Sequence, residues 1–133
     1  MIQVKDVVKS FDGNVVLNHV SANFEDGKVN MIIGQSGSGK TVLMKSMIGL
    51  HQIDGGEIVF DTRAGQQNLA GMTEKEVRML HREVGMLFQG AALFDSMTVQ
   101  ENVMYPLEMF SDMTDEEKVE RARFCLERVN MPE

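Results

Sequence analysis

The sequence is short of cysteine, of basic charge and of long apolar runs, and each shortage removes a class of function. Cys125 stands alone among 133 residues, so no internal disulfide can form. That usage suits a reducing compartment. Lys and Arg number 13 against 20 Asp and Glu, for a net charge of −7. A general nucleic-acid binder carries a basic face, so no nucleic-acid partner is expected. No apolar stretch nears the roughly 18 residues that a bilayer span needs. The opening MIQVKDVVKS has no apolar core of the kind a signal peptide uses.

What remains is globular. Hydrophobic residues make up 43% and charged residues 25%, enough for one domain with a real core. Twelve methionines read as adaptable core filler. IQVKDVV and VVLNHVSANFE read as strands around the turn signal Asp12-Gly13-Asn14. KVNMII, short and apolar before a glycine-rich turn, reads as a buried parallel strand. From Lys40 the apolar positions Leu43, Met44, Met47, Ile48 and Leu50 take helical spacing, ended by Gly49 and Asp54-Gly55-Gly56. GEIVFD is a further strand. Three T-x-x-E sequences, Thr73/Glu76, Thr98/Glu101 and Thr114/Glu117, are the signature of helix starts. The third helix carries Val119, Ala122, Leu126 and Val129 on one face. VGMLFQ, residues 84–89, reads as a short buried strand. The expected class is α/β, with an antiparallel start and a parallel element near residue 30.

Residues 34–41, GQSGSGKT, complete the pattern G-x-x-x-x-G-K-[ST] between a strand and a helix. Glycines let the backbone wrap closely and aim its N–H groups at phosphate oxygens. The helix that follows adds its positive end. Lys40 can reach the β- and γ-phosphates, and the Thr41 hydroxyl can ligate Mg²⁺. An acidic protein can bind an anion here because the required charge is local. The competing reading is a glycine-rich strand-to-helix turn with an incidental lysine.

Together with two further segments, this loop resembles the first half of an ATP-binding-cassette (ABC) transporter ATPase. SFDGNVVLNHVSANFEDGKVNMIIGQSGSGKT resembles the stretch from the adenine-stacking aromatic through the Walker A loop. GGEIVFD resembles the strand after the Walker A helix. VGMLFQGAALFDSMTVQENVMYPL resembles the Q-loop region and the start of the helical subdomain. The resemblance implies a P-loop NTPase (RecA-like) core with an antiparallel β-subdomain over about 1–90, then Q-loop and helical subdomain over about 89–133. It implies ATP and Mg²⁺ bound by Gly34, Gln35, Ser36, Gly37, Ser38, Gly39, Lys40, Thr41 and Val42. Phe11 would lie against adenine; its alternative is a core residue at a strand end. Gln89 would be the Q-loop glutamine, touching Mg²⁺ and the attacking water beside the metal ligand Thr41; its alternative is a solvated strand end. Val42 departs from the family, which has a second Ser or Thr there to contact the α-phosphate. The loss is about 1.5–3 kcal/mol at most.

The implied partners are a membrane permease, received by the region of about 89–110, and a second ATPase subunit. The implied location is the cytoplasmic face of a membrane. Gly90-Ala91-Ala92-Leu93-Phe94 and Asn102-Val103-Met104-Tyr105-Pro106-Leu107 look most like the ATPases of Mla-type lipid transporters. An Asp-Glu-ending strand, a signature sequence and a switch histidine are also part of the family's hydrolytic equipment. Ile58-Val59-Phe60-Asp61 is followed by Thr62 where Glu is needed. His19, His51 and His81 all precede Gln89 and read as surface or turn residues. The expectation is therefore an N-terminal portion that binds nucleotide without turning it over alone. Two readings stand beside it: a regulatory or vestigial nucleotide-binding module, and a small-molecule P-loop kinase, whose lid arginine cluster this sequence does not show and which does not explain VGMLFQG.

Overall fold

Val4 and Val7, fully buried, mark the inward face of β1 (Ile2–Phe11). In the computed structural model, which describes residues 1–62 and 65–131, the Asp12–Gly13 turn folds β1 back into β2 (Asn14–Phe24). The pairing is antiparallel, in a register that runs from Ile2 opposite Phe24 to Phe11 opposite Asn14. β3 (Gly55–Thr62) pairs antiparallel with the other edge of β1, and β4 (Gly65–Asn68) with β3. The sheet order is β2-β1-β3-β4. Ile58 and Phe60 alternate inward with solvent-side Glu57 and Asp61, as a half-buried antiparallel strand requires. Burying one such side chain is worth about 1.5–3 kcal/mol.

α1 (Lys40–Met47) lays Leu43 and Met47 into the same cluster as Val4, Val7, Leu17, Ile58 and Phe60. A 3₁₀ turn (Leu69–Gly71) and α2 (Glu74–Leu80) add Leu69 and Leu80. His81 Nε2 lies 2.6 Å from the Ile48 carbonyl. A carbonyl only accepts, so this nitrogen carries the proton. The contact ties the end of α2 to the end of α1.

The chain divides into two compact units, Met1–Gly85 and Met86–Glu133. The second holds α3 (Val99–Phe110) and α4 (Asp115–Arg128). All three T-x-x-E sequences form complete capping boxes at α2, α3 and α4. In α4 Ala122 is buried, but Val129 is exposed because it is the C-cap and lies past the helical face.

Two expected strands are absent. Residues 28–33 and 84–88 form no ladder. Val29 is 96% exposed, Ile33 82% and Leu87 85%. A strand needs a neighbour to take its N–H and C=O groups, and every strand pairing in the described residues is antiparallel and engages other segments. Apolar content alone does not supply one. Ile32, half-buried against the core, is the one inward contact of the 29–33 run. The methionines depart from expectation too: Met47 is the one in the buried core, while Met31, Met44, Met79, Met109 and Met131 are exposed.

Candidate functional site

The loop between residue 33 and α1 is wound by local contacts. Ser38 N–H donates to the Gln35 carbonyl at 3.2 Å, closing the turn. Gly39 is the N-cap of α1, at φ 90°, and makes no side-chain cap. Two reasons require glycine there. A Cβ would sit in a left-handed conformation, and it would lie 3.1 Å from the Val16 carbonyl of β2. At Gly34 a Cβ would fall 2.7 Å from Ser38 Oγ, so a side chain there would turn that hydroxyl away. The end of the loop thus packs closely against Val16 and Leu17 of the hairpin.

Lys40, the first helical residue, folds back over the loop. Its Nζ donates to the Gly34 carbonyl at 2.8 Å, to the Gln35 carbonyl at 2.6 Å and lies 3.4 Å from Ser38 Oγ. The first turn of α1 contains no acidic residue. The positive end of the helix and the ammonium therefore act on the same loop, and no carboxylate on that turn opposes them. Ser36, Gly37 and Thr41 are exposed along it. Val42 is half-buried against the hydrophobic core, a packing role that motif comparison alone did not supply. Among the described residues no three His, Cys, Asp or Glu side chains cluster as metal ligands. A magnesium ion at Thr41 would thus draw most of its ligands from phosphate and water, as this ion commonly does.

Phe11 is 38% exposed at the end of β1. Its ring meets that of His51 at 5.3 Å and 75°, and Lys9 Nζ sits 5.1 Å from its centroid. Lys9 pairs with Asp54 at 3.2 Å. The Ser10 backbone N–H, at 2.6 Å, and then Lys9 hold the Asp54 carboxyl below its ordinary value. Lys9 is two positions from Phe11 on β1, but His51 and Asp54 come from 40 or more positions away, and no local pattern marks those two.

Gln89 belongs to the second unit, on an exposed turn. It does not end a strand there. In the same unit Asn102 secures the loop before α3. Its Oδ1 accepts from Phe94 N–H at 2.8 Å, and its Nδ2 donates to the carbonyls of Phe94 and Thr98 at 3.1 and 2.9 Å. The rings of Phe94 and Tyr105 lie 4.8 Å apart. The two segments that suggested a subfamily are thus joined by their own packing.

Comparison with known proteins agrees with this geometry. The family model described as ABC transporter matches residues 17–133. The methionine import ATP-binding protein MetN of Rhizobium johnstonii is 34% identical over 131 residues, covering 98% of this chain and 35% of that protein. The phosphonates import ATP-binding protein PhnC of Fusobacterium nucleatum is 32% identical over 139 residues, covering 98% and 54%. The solved dimeric, post-hydrolysis ATP-binding cassette MJ0796 with ADP and Pi superposes with a TM-score of 0.82 at 28% identity. The match covers 98% of this chain and 57% of that one. The chain thus spans between about a third and somewhat over half of the relatives it matches.

Proposed function

Because the chain belongs to the ABC transporter family, we propose that loop 34–41 binds the phosphates of ATP and that the whole protein couples ATP hydrolysis to transport. The observation that carries this reading is Lys40, held on the carbonyls of Gly34 and Gln35 at the uncapped, acid-free start of α1. Gln35, Ser36, Gly37, Gly39 and Lys40 would hold phosphate oxygens through backbone N–H groups, Ser38 through its hydroxyl, and Lys40 also through its ammonium. Thr41 would hold Mg²⁺, which neutralises phosphate charge when bound; Gln89 keeps its Q-loop role by family resemblance alone. Phe11 offers the exposed aromatic surface for adenine. Val42 keeps a backbone N–H for the α-phosphate and gives its side chain to the core.

None of these residues is a carboxylate able to polarise an attacking water. The chain's own share is therefore binding and orientation. A second ATPase subunit is part of the proposal, supported by the dimeric state of the cassettes it resembles. So is a permease received by the region of about 89–110, on the cytoplasmic side of a membrane. The lipid-transport reading rests on residues 90–107 alone, whose packing around Asn102 is explained without a cargo. The 34% and 32% identical relatives are by name methionine and phosphonate importers.

Calorimetric titration of ATP with Mg²⁺ into the protein tests the reading. Removing one charge-assisted contact costs about 1.5–3 kcal/mol, so Lys40→Ala should weaken binding roughly 10- to 150-fold. An unchanged affinity overturns it. The 133-residue chain alone should show no turnover above background; hydrolysis abolished by Lys40→Ala would make the chain a complete catalyst.

A further inference from the structure

Phe11 closes β1 beside the Asp12–Gly13 turn, and two side chains restrain its ring. His51 meets it at 75°, with centroids 5.3 Å apart. Lys9 Nζ lies over it. Lys9 is itself anchored by Asp54 Oδ1, while Asp54 Oδ2 accepts from the Ser10 backbone. His51 is placed by the end of α1, since the N–H groups of Leu50 and His51 both donate to the Lys45 carbonyl at 2.9 and 3.4 Å. The imidazole is thus fixed just past the end of the helix whose first residue is Lys40. A phenyl ring at a strand end otherwise samples several rotamers, and ordering it on binding costs affinity.

The strand register brings this ring near the phosphate loop. Phe11 pairs with Asn14. Val16, which crowds Gly39, lies two residues further on, or about 7 Å of strand. A nucleotide with its phosphates on residues 34–41 has its base within reach of that hairpin end.

We infer that His51 is a positioning residue for nucleotide binding: it holds the Phe11 ring so that the exposed surface accepts the flat base of a purine nucleotide. The inference rests on the reading of loop 34–41 and Phe11 given above. His51 acts through the aromatic contact, so a phenyl ring replaces it and a methyl group does not.

The test compares two ligands on the intact protein, ATP and inorganic triphosphate, each with Mg²⁺. Triphosphate has the phosphates and no base. His51→Ala should weaken ATP about three- to tenfold, the range of an aromatic pair, and leave triphosphate unchanged. His51→Phe should restore ATP affinity. In a Phe11→Ala background, His51→Ala should have no further effect. Equal weakening of both ligands would mean a merely structural role and overturns the inference. So does unchanged or tighter ATP binding by His51→Ala while Phe11→Ala weakens it. If Phe11→Ala itself leaves ATP affinity unchanged, the base-stacking reading fails and takes this inference with it. Loss of triphosphate binding in Lys40→Ala independently reports on the phosphate loop.

Discussion

Residues 29–33, VNMII, and residues 57–60, EIVF, lie in one unit and carry comparable apolar content, yet they meet opposite fates. Ile58 is wholly buried and Phe60 nearly so; Val29 and Ile33 are almost wholly exposed. The difference is partnership. β3 has β1 on one edge and β4 on the other, so its backbone groups are satisfied and its alternate side chains reach the core. Residues 29–33 follow a turn fastened by Asn30, whose Oδ1 accepts from Glu25 N–H and whose Nδ2 donates to the Glu25 carbonyl. They form no ladder, and only Ile32 turns inward. A strand is a property of a pair, and β-propensity describes fit to a pleated surface that something else must provide.

The largest effect should come from breaking the buried member. In the 133-residue chain, Ile58→Ala should cost about 2–5 kcal/mol of unfolding free energy, and Ile33→Ala no more than about 0.5 kcal/mol. Urea denaturation followed by circular dichroism measures both. Equal costs would mean that residues 29–33 are buried in solution and would end the contrast.

The same distinction explains what was legible beforehand. The turn at Asp12–Gly13, the glycine-rich loop and three capping boxes are set by residues within a few positions of one another, and all formed. The buried strands expected at 28–33 and 84–89 required distant neighbours that their own letters do not name. Phe11 was readable as an exposed aromatic with Lys9 two residues before it, but His51 reaches the ring, and Asp54 reaches Lys9, only after the sheet and α1 assemble. Val42 was read by what its side chain lacks for a phosphate, whereas its packing against the core became visible with the fold. Leu87 and Ile33 show why an apolar run without alternation is the least informative pattern.

Asn102 offers an intermediate case, an irregular segment that is nevertheless held. The loop at 94–98 has no ladder, but one amide side chain supplies the bonds that a neighbouring strand would give. Asn102→Ala should cost about 1–3 kcal/mol by leaving those backbone groups unpaired. It should also raise amide exchange at Phe94 more than tenfold while leaving the amide of Val4, in the other unit, unchanged. Uniform acceleration in both units would show that the segment is not locally held.

The smallest effects belong to the most local devices, the capping boxes. Thr73 and Thr98 donate backbone N–H bonds to Glu76 and Glu101 at 2.7 Å. Those bonds first, and the threonine side chains second, hold both carboxyls below their ordinary value of 4.5. A carboxyl whose pKa is lower folded than unfolded binds fewer protons in the native state. Its contribution is therefore complete above about pH 4.5 and declines as pH falls through the lower, folded value. Both glutamates are exposed, so the dependence should be shallow. Thr98→Ala should remove about 1 kcal/mol at pH 7. Glu101→Gln should flatten the loss of stability below pH 4.5, its deficit against the wild type being greatest at pH 7, where Glu101 is ionised. The sharpest check is a pair of urea titrations at pH 7 and pH 3.5. If the wild type and Glu101→Gln differ by the same amount at both, the carboxylate charge contributes nothing to the cap. If they converge at the lower pH, this helix start is held by an ionised side chain within its own first turn, whereas β3 depends for one of its edges on β1, from Val8 opposite Gly55 to Ile2 opposite Phe60.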